Sequence, residues 1–216
     1  MSPLLLETAA VAFTTLFATI GPLEAAALFA TLTPHATGRE RRRMALRATA
    51  IAAILMLAFA LVGGAILGGL GIGLAALRTA GGILLLLMGI DMVFARHSGV
   101  TSTTPDEAEE ASHKSDITVF PLATPLIAGP GAMGAVILLM ENVEGDLVRK
   151  GVILLALIGV MLLTLALLLA ASTVQRIFGV TGLNVLTRIM GVLLTALAVQ
   201  FMFDGLAQSG LFAALS

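Results

Sequence analysis

Long apolar runs separated by short polar stretches dominate the chain. Each run approaches the roughly 20 residues that an α-helix needs to cross the hydrocarbon core of a bilayer. Six runs fit this length, and their expected limits are 6–31, 45–69, 72–94, 118–140, 148–171 and 185–207. The first run continues past Glu7 and follows no basic stretch, so it is expected to be a membrane helix and not a cleaved signal peptide. The pattern predicts an all-α, polytopic membrane protein with six transmembrane helices.

A polar stretch divides the six runs into two groups of three. Residues 96–117 are rich in Ser, Thr and acidic side chains, which is typical of a flexible linker. The sequence therefore predicts a first three-helix repeat at 1–95, a flexible cytoplasmic linker at 96–117 and a second three-helix repeat at 118–216.

Lysine and arginine are unevenly distributed between the two sets of loops. The 1–2, 3–4 and 5–6 loops, with their span edges, contain nine of these residues, and the opposite side contains only Arg78, Arg149 and Lys150. Cytoplasmic loops of membrane proteins carry the excess of positive charge. The linker is therefore expected in the cytoplasm and both termini outside.

One apolar stretch, from Phe120 to Gly131, cannot form a smooth helix. It contains three prolines and two glycines, and proline removes a backbone N–H and clashes with the preceding turn. Within a bilayer, a broken helix is tolerated where protein or a water-filled cavity satisfies the freed backbone groups. The stretch is a candidate binding site; the alternative interpretation is a kinked structural helix, since proline is frequent in membrane spans.

The two halves share short patterns in the same order. Gly21-Pro22-Leu23 can be laid over Thr124-Pro125-Leu126, and Arg78-x-x-Gly81-x-x-Leu84 over Arg188-x-x-Gly191-x-x-Leu194. Since each half has three spans, the second half must enter the membrane from the opposite face. Many transporters are built this way and hold their substrate near the midplane, between paired broken helices. We therefore expect two inverted 3+3 repeats with helices 1 and 4 broken.

Backbone donors at the second break suit a small carboxylate ligand. A helix that restarts near Gly129 offers free N–H groups and the positive end of its dipole. A hydroxyl from Thr124 can add a hydrogen bond, and the small neighbouring side chains let a ligand approach the backbone. The candidate substrate-binding residues of the two breaks are Gly21, Pro22, Glu24, Thr124, Pro125, Ala128, Gly129, Pro130 and Gly131.

Glu24 is an ionisable residue well inside the first span. Such a group costs roughly 2.5 kcal/mol or more at the bilayer centre and indicates a function by default. Glu24 is therefore a candidate proton carrier or, when ionised, a partner for a substrate ammonium group. The alternative is a glutamate that lines a polar cavity without any coupling role.

Four more charged residues lie near the ends of spans 3 and 6. Arg78 and Arg188 begin these spans on opposite faces, where they either anchor the helix ends or gate the two openings. Asp91 is a further candidate for coupling, whereas Asp204 is interpreted as an interfacial, structural residue. The chain has no cysteine and its three histidines lack metal-ligand spacing. No metal, cofactor, enzymatic activity or nucleic-acid partner is expected.

Several of these motifs resemble the MarC family of bacterial membrane proteins. The stretch Phe120-Pro-Leu-Ala-Thr-Pro-Leu-Ile-Ala-Gly-Pro-Gly131 is similar to the second-half motif of that family. The third span and the first loop are similar to the family in Arg78-Thr-Ala-Gly-Gly82, Gly89, Asp91, Leu32-Thr33, Arg39-Glu40-Arg41-Arg42 and Arg47-Ala48. The resemblance implies a six-span fold of 3+3 inverted repeats, related to the lysine-exporter group. It also implies outward movement of small neutral amino acids such as glycine or alanine.

The first-half motif departs from the family pattern. That pattern places Asp or Asn before the proline, glycine two residues after it and a second proline five residues after it. The corresponding residues here are Gly21, Glu24 and Ala27. The first helix is therefore expected to be less broken than the fourth, and a role of the usual Asp or Asn does not carry over.

The leading hypothesis is a secondary transporter that exports glycine or alanine by alternating access, with a midplane site between helices 1 and 4. The alternative is an ion channel or inorganic-ion transporter on the same scaffold, since broken helices also coordinate ions. The expected location is the cytoplasmic (inner) membrane of a bacterium or archaeon, in contact with membrane lipids. Coupling to protons or sodium is left open. The small-residue spacing of Gly64, Gly68, Gly69 and Gly73 permits close helix packing, either within the monomer or at the seam of a homo-oligomer.

Overall fold

The computed structural model describes residues 3–33, 36–94, 118–143 and 145–209. The predicted linker at 96–117 lies outside the described residues. Within them the chain forms helices joined by short turns. The elements are α1 (Pro3–Ile20), α2 (Pro22–Leu32), α3 (Gly38–Gly69), α4 (Leu74–Phe94), a π-helical segment (Thr118–Ile127), α5 (Pro130–Glu141), α6 (Leu147–Leu169) and α7 (Ala171–Gln208).

Five helical stretches are long and apolar enough to cross a membrane. They are Pro3–Ala30, Gly38–Gly69, Leu74–Phe94, Leu147–Leu169 and Thr187–Gln208. These correspond to five of the six predicted spans. The prediction of a helical, polytopic membrane protein is therefore confirmed, with five membrane-spanning helices among the described residues. The second begins earlier than predicted because Thr37 and Glu40 form a capping box that starts the helix within the polar stretch.

The fourth predicted span, 118–140, is not one continuous helix. The π-helical segment ends at Ile127, and Gly129 is extended, with φ −81° and ψ 166°. The following helix, α5, has 12 residues and is about 18 Å long, against about 30 Å of hydrocarbon. Pro121 and Pro125 therefore lie in an irregular segment, and Pro130 begins the helix that follows it. The arrangement of six spans as two inverted repeats stays a prediction.

Gly21 interrupts the first span. Its backbone is left-handed, with φ 59° and ψ 56°, a conformation that glycine adopts without the steric cost of a side chain. Pro22 then begins α2. The hydrogen bonds continue on both sides, since Gly21 N donates to Phe17 O at 3.1 Å and Ala25 N donates to Gly21 O at 2.9 Å. The first interruption is thus limited to a single residue.

The backbones of α4 and α7 touch. A Cβ atom added to Gly82 would lie 2.8 Å from the carbonyl oxygen of Ala198 and 3.0 Å from the nitrogen of Met202. No side chain fits at such distances, so glycine is required for this packing. Small residues at helix interfaces permit such an approach in membrane proteins.

A second contact repeats the first with the two helices exchanged. A Cβ atom on Gly191 of α7 would lie 2.9 Å from Gly89 O and 2.9 Å from Val93 N, both on α4. The residues that correspond to one another, each pair 109 residues apart, are Gly82 and Gly191, Gly89 and Ala198, and Val93 and Met202. This register differs by one residue from the sequence overlay, which laid Gly81 over Gly191. Equivalent residues of the two helices therefore make equivalent contacts, which is the property of a local two-fold axis.

Three contacts gather at one end of the helix bundle. Arg149 Nε at the start of α6 donates to Thr8 Oγ1 at 3.1 Å, and Arg78 Nη2 near the start of α4 donates to Asn142 Oδ1. A Cβ atom on Gly64, near the end of α3, would lie 2.6 Å from Glu141 Cδ at the end of α5. We call this the Arg78 end. Helices α1, α4 and α6 begin there, and α3 and α5 end there.

Candidate functional site

A small pocket lies beside the interruption between α1 and α2. It contains about 20 Å³ of space and is bordered by the predicted residues Gly21, Pro22 and Glu24, together with Met92 of α4 and with residues of α7. This volume holds about one water molecule. The structure therefore brings the first-half candidates together, in a conformation without room for an amino acid at this point.

The carboxylate of Glu24 lies beside the interruption. Glu24 belongs to the first turn of α2 and is half-buried, and its Oε2 atom lies 3.1 Å from the position of a Cβ atom on Gly21. A negative charge in the first turn interacts favourably with the positive end of the helix dipole. The break and the charge that the sequence singled out are thus adjacent.

The second interruption ends at a helix start with the same two residues. Gly129 is the N-cap of α5 and Pro130 its first residue, just as Gly21 and Pro22 begin α2. Glycine has no side chain with which to cap a helix. Met133 N donates to Gly129 O at 3.0 Å, so the N–H groups of the two residues before Met133 have no acceptor within α5. Free N–H groups at a helix start can bind an anion.

This correspondence differs from the overlay of the sequence, which paired Pro22 with Pro125. In the structure Pro125 lies inside the π-helical segment, and Pro130 begins a helix as Pro22 does. The reason is local: hydrogen bonds of the π type, such as Ala128 N to Ala123 O at 2.9 Å, carry the chain past Pro125. Such segments are rare and are often found at functional sites.

The remaining second-half candidates face their own segment and α4. Thr124 Oγ1 donates to Val119 O at 3.1 Å, and Ala128 is buried. Gly131 is buried against α4, where an added Cβ atom would lie 3.1 Å from Met88 Sδ. Among the residues that border the pocket at Gly21, no second-half candidate is found in the described ranges.

The two interruptions nevertheless border the same hydrophobic core. One cluster of buried side chains includes Ile20 and Ala25, on either side of the first interruption, and Ile127 and Ala132, on either side of the second. The structure thus places both breaks in the interior of the protein, joined by apolar packing.

The two arginines lie at opposite ends of the bundle. Arg78 is half-buried and donates to Asn142 at the Arg78 end, and its Nε is buried without a hydrogen-bond partner among the described residues. Arg188 is exposed one turn before Gly191, which packs on Met92 at the other end of α4. Asp91 is half-buried and precedes Met92. Asp91 and Arg188 therefore share one end of the α4–α7 pair.

Two buried threonines were not anticipated from the sequence. Six other threonines donate to the carbonyl oxygen four residues earlier, namely Thr8, Thr19, Thr33, Thr79, Thr164 and Thr195. The Oγ1 atoms of Thr15 and Thr49 are buried and have no hydrogen-bond partner in the part of the chain that the structure describes. The difference depends on side-chain rotamers, for which the sequence contains no signal.

The α7 residues of the pocket, Thr187 and Met190, were also missed. A threonine and a methionine in an apolar span are too common to indicate a site by themselves. Only the packing of α7 against the interruption at Gly21 identifies them.

Comparisons with known proteins agree on one family. Residues 6–209 match the family model described as MarC family integral membrane protein. The chain is 39% identical over 195 residues to the UPF0056 membrane protein MJ1677 of Methanocaldococcus jannaschii, an alignment that covers 90% of this chain and 94% of the relative. It is 33% identical over 204 residues to the UPF0056 membrane protein YvbG of Bacillus subtilis, covering 94% and 95% of the two chains. No solved structure matches the chain. By its sequence and its several membrane-spanning helices, the chain belongs to the MarC family of integral membrane proteins.

Proposed function

We propose that the protein is a secondary transporter that exports small neutral amino acids, with a site between the two interrupted spans. The observation that carries this proposal is the pair of matching Gly-Pro helix starts, at Gly21-Pro22 and Gly129-Pro130, inside one apolar core. Interrupted helices with this arrangement form the substrate sites of many transporters.

The two breaks offer complementary chemistry to a zwitterion. The start of α5 supplies N–H donors and a positive dipole end for the substrate carboxylate. Glu24 at the start of α2 supplies a negative charge for the ammonium group. Buried Gly131, with Met88 close by, leaves little space beyond the backbone, which favours a substrate with a side chain as small as that of glycine or alanine.

Alternating access is supported by the reciprocal contacts of α4 and α7. A local two-fold axis between these helices is what two inverted repeats of opposite orientation would produce. The pocket at Gly21 holds only about 20 Å³, so substrate binding requires the halves to move relative to one another. The interruptions at Gly21 and Gly129 are positions where a half-helix can tilt without breaking a regular hydrogen-bond ladder.

A substrate panel in proteoliposomes tests this function. Purified protein is reconstituted, and uptake of radiolabelled glycine, alanine, leucine and lysine is measured under an imposed pH or sodium gradient, with protein-free liposomes as the control. We expect glycine and alanine to be transported well above leucine and lysine, and one of the two gradients to drive accumulation. Sodium or potassium flux that amino acids do not inhibit, with no amino-acid uptake, would contradict the proposal and favour an ion channel.

A further inference from the structure

A groove of about 260 Å³ runs between α3 and α6. Its walls are apolar, and it opens to the outer surface of the bundle, where Leu162 is 61% exposed. The α3 wall extends from Leu46 to Leu57 and includes Thr49 and Ala53. These 11 residue steps correspond to about 16 Å along the helix, close to half of the roughly 30 Å hydrocarbon thickness. The groove therefore has the length of one leaflet.

One polar atom inside this groove lacks a partner. Thr49 is only 6% exposed, and its Oγ1 has no hydrogen-bond partner among the described residues. Among the described residues, the buried Thr8, Thr19, Thr33 and Thr164 donate to their own helix, and Thr164 does so to Val160 O at 2.7 Å. A buried hydroxyl without a partner costs roughly 1–3 kcal/mol, a cost that a ligand with a hydrogen-bond acceptor removes.

Basic residues continue the same face of α3 beyond the groove. Residues three and four apart lie on one side of a helix, so Arg42 and Arg43 precede Leu46 on the face that lines the groove. Both arginines are exposed. Arg42 lies seven residues before Thr49, about 10 Å along the axis.

The groove has its charged opening at the end of the bundle opposite the Arg78 end. Gly64 near the end of α3 contacts Glu141, and Arg149 at the start of α6 contacts Thr8, both at the Arg78 end. Helices α3 and α6 are therefore antiparallel, and the start of α3 meets the end of α6.

We propose that this groove binds one anionic phospholipid of the adjacent leaflet. The phosphate group binds Arg42 and Arg43, an ester oxygen accepts a hydrogen bond from Thr49 Oγ1, and one acyl chain fills the groove between α3 and α6. Anionic headgroups attract basic residues beside a membrane by roughly 1 kcal/mol for each residue. The positive charge at the opening favours an anionic phospholipid over a zwitterionic one.

The absence of tryptophan from the chain allows a direct test. Ile158→Trp places a single fluorophore at the groove, and Leu155→Trp places one on the same helix, facing outward at a residue that is 69% exposed and does not border the groove. Protein is reconstituted with phosphatidylcholine and increasing fractions of brominated phosphatidylglycerol or brominated phosphatidylcholine, and fluorescence quenching gives relative binding constants. For Ile158→Trp we expect phosphatidylglycerol to bind roughly fivefold or more tightly than phosphatidylcholine. For Leu155→Trp we expect little preference.

Two further variants separate the groove from the general membrane surface. In the Ile158→Trp background, Arg42→Gln with Arg43→Gln should remove the preference, whereas Lys150→Gln at the other end of α6 should keep it. Ala53→Phe should fill the groove and reduce quenching by phosphatidylglycerol to the level at Leu155→Trp. Equal quenching by both lipids at Ile158→Trp would overturn the proposal. So would a preference that survives loss of the two arginines, or no quenching by either lipid.

Discussion

The carboxylate of Glu24 stands beside the one residue that interrupts the first span. Its Oε2 atom lies 3.1 Å from where a side chain on Gly21 would begin, and the pocket next to it contains about 20 Å³. Glu24 belongs to the first turn of α2, next to the positive end of the helix dipole.

Replacing Glu24 by glutamine keeps the size of the side chain and removes its charge. If this carboxylate carries the coupling proton, the Glu24→Gln variant should lose the response of glycine uptake to an imposed pH gradient. Glu7→Gln is the matched control, since Glu7 is exposed at the start of the same span. The measurement is the initial rate of uptake in proteoliposomes with and without the gradient. An unchanged response in Glu24→Gln would exclude Glu24 as the proton carrier.

At the level of single residues, the sequence predicted those whose type is unusual in a membrane span. Gly21, Pro22 and Glu24 interrupt or charge an apolar run, and they lie together in the structure. Thr15 and Thr49 could not be singled out, because what distinguishes them is the lack of a hydrogen-bond partner for Oγ1 among the described residues. The contact between Arg78 and Asn142 joins distant parts of the chain, and no local pattern predicts it.

Helix α4 and helix α7 approach one another so closely that glycine is required on both. Because the contacts of Gly82 and Gly191 are equivalent, adding a methyl group at either residue should cost a similar amount of stability. Overpacking costs roughly 1–3 kcal/mol, and here the obstructing atoms belong to the backbone and cannot rotate away.

We expect Gly82→Ala and Gly191→Ala to lower the melting temperature in detergent by similar amounts, about 2–4 °C for each kcal/mol. Gly159→Ala on α6 is the control, because no described atom lies within 4 Å of its added Cβ and it receives the same gain in helix propensity, about 1 kcal/mol. A melting temperature unchanged in either α4–α7 variant would contradict the reciprocal packing.

For whole elements, hydrophobic runs were sufficient to locate five spans, and proline and glycine were sufficient to locate the irregular stretch. The matching of the two halves was harder to predict. From the sequence alone, Pro22 was matched with Pro125, because both are followed by leucine. In the structure it is Pro130 that begins a helix as Pro22 does, since the π-helical segment continues past Pro125. The type of helix that surrounds a proline cannot be predicted from the proline alone.

At the scale of the whole bundle, helices α1, α4 and α6 begin at the Arg78 end, and α3 and α5 end there. The distribution of Lys and Arg predicts that the Arg78 end faces outward. The chain has no cysteine, so single cysteines can report this orientation in intact cells.

A membrane-impermeant maleimide should label Leu70→Cys and Leu147→Cys from outside, where these residues are 68% and 83% exposed. Arg39→Cys at the opposite end should react only after the membrane is permeabilised. If Arg39→Cys alone were labelled from outside, the orientation would be the reverse of the one predicted. If only one of Leu70→Cys and Leu147→Cys were labelled from outside, the conclusion that both residues lie at the Arg78 end would be contradicted.

Transport through the second interruption is the central claim, and glycine counterflow in proteoliposomes tests it most directly. Gly131→Leu fills the space between the start of α5 and Met88, whereas Gly134→Leu lies one turn later on the same helix, with no described atom within 4 Å of its added Cβ. With both variants folded to similar melting temperatures, we predict that Gly131→Leu lowers counterflow roughly tenfold or more and that Gly134→Leu remains close to the unmodified protein. Equal counterflow in the two variants would contradict a substrate site at this helix start.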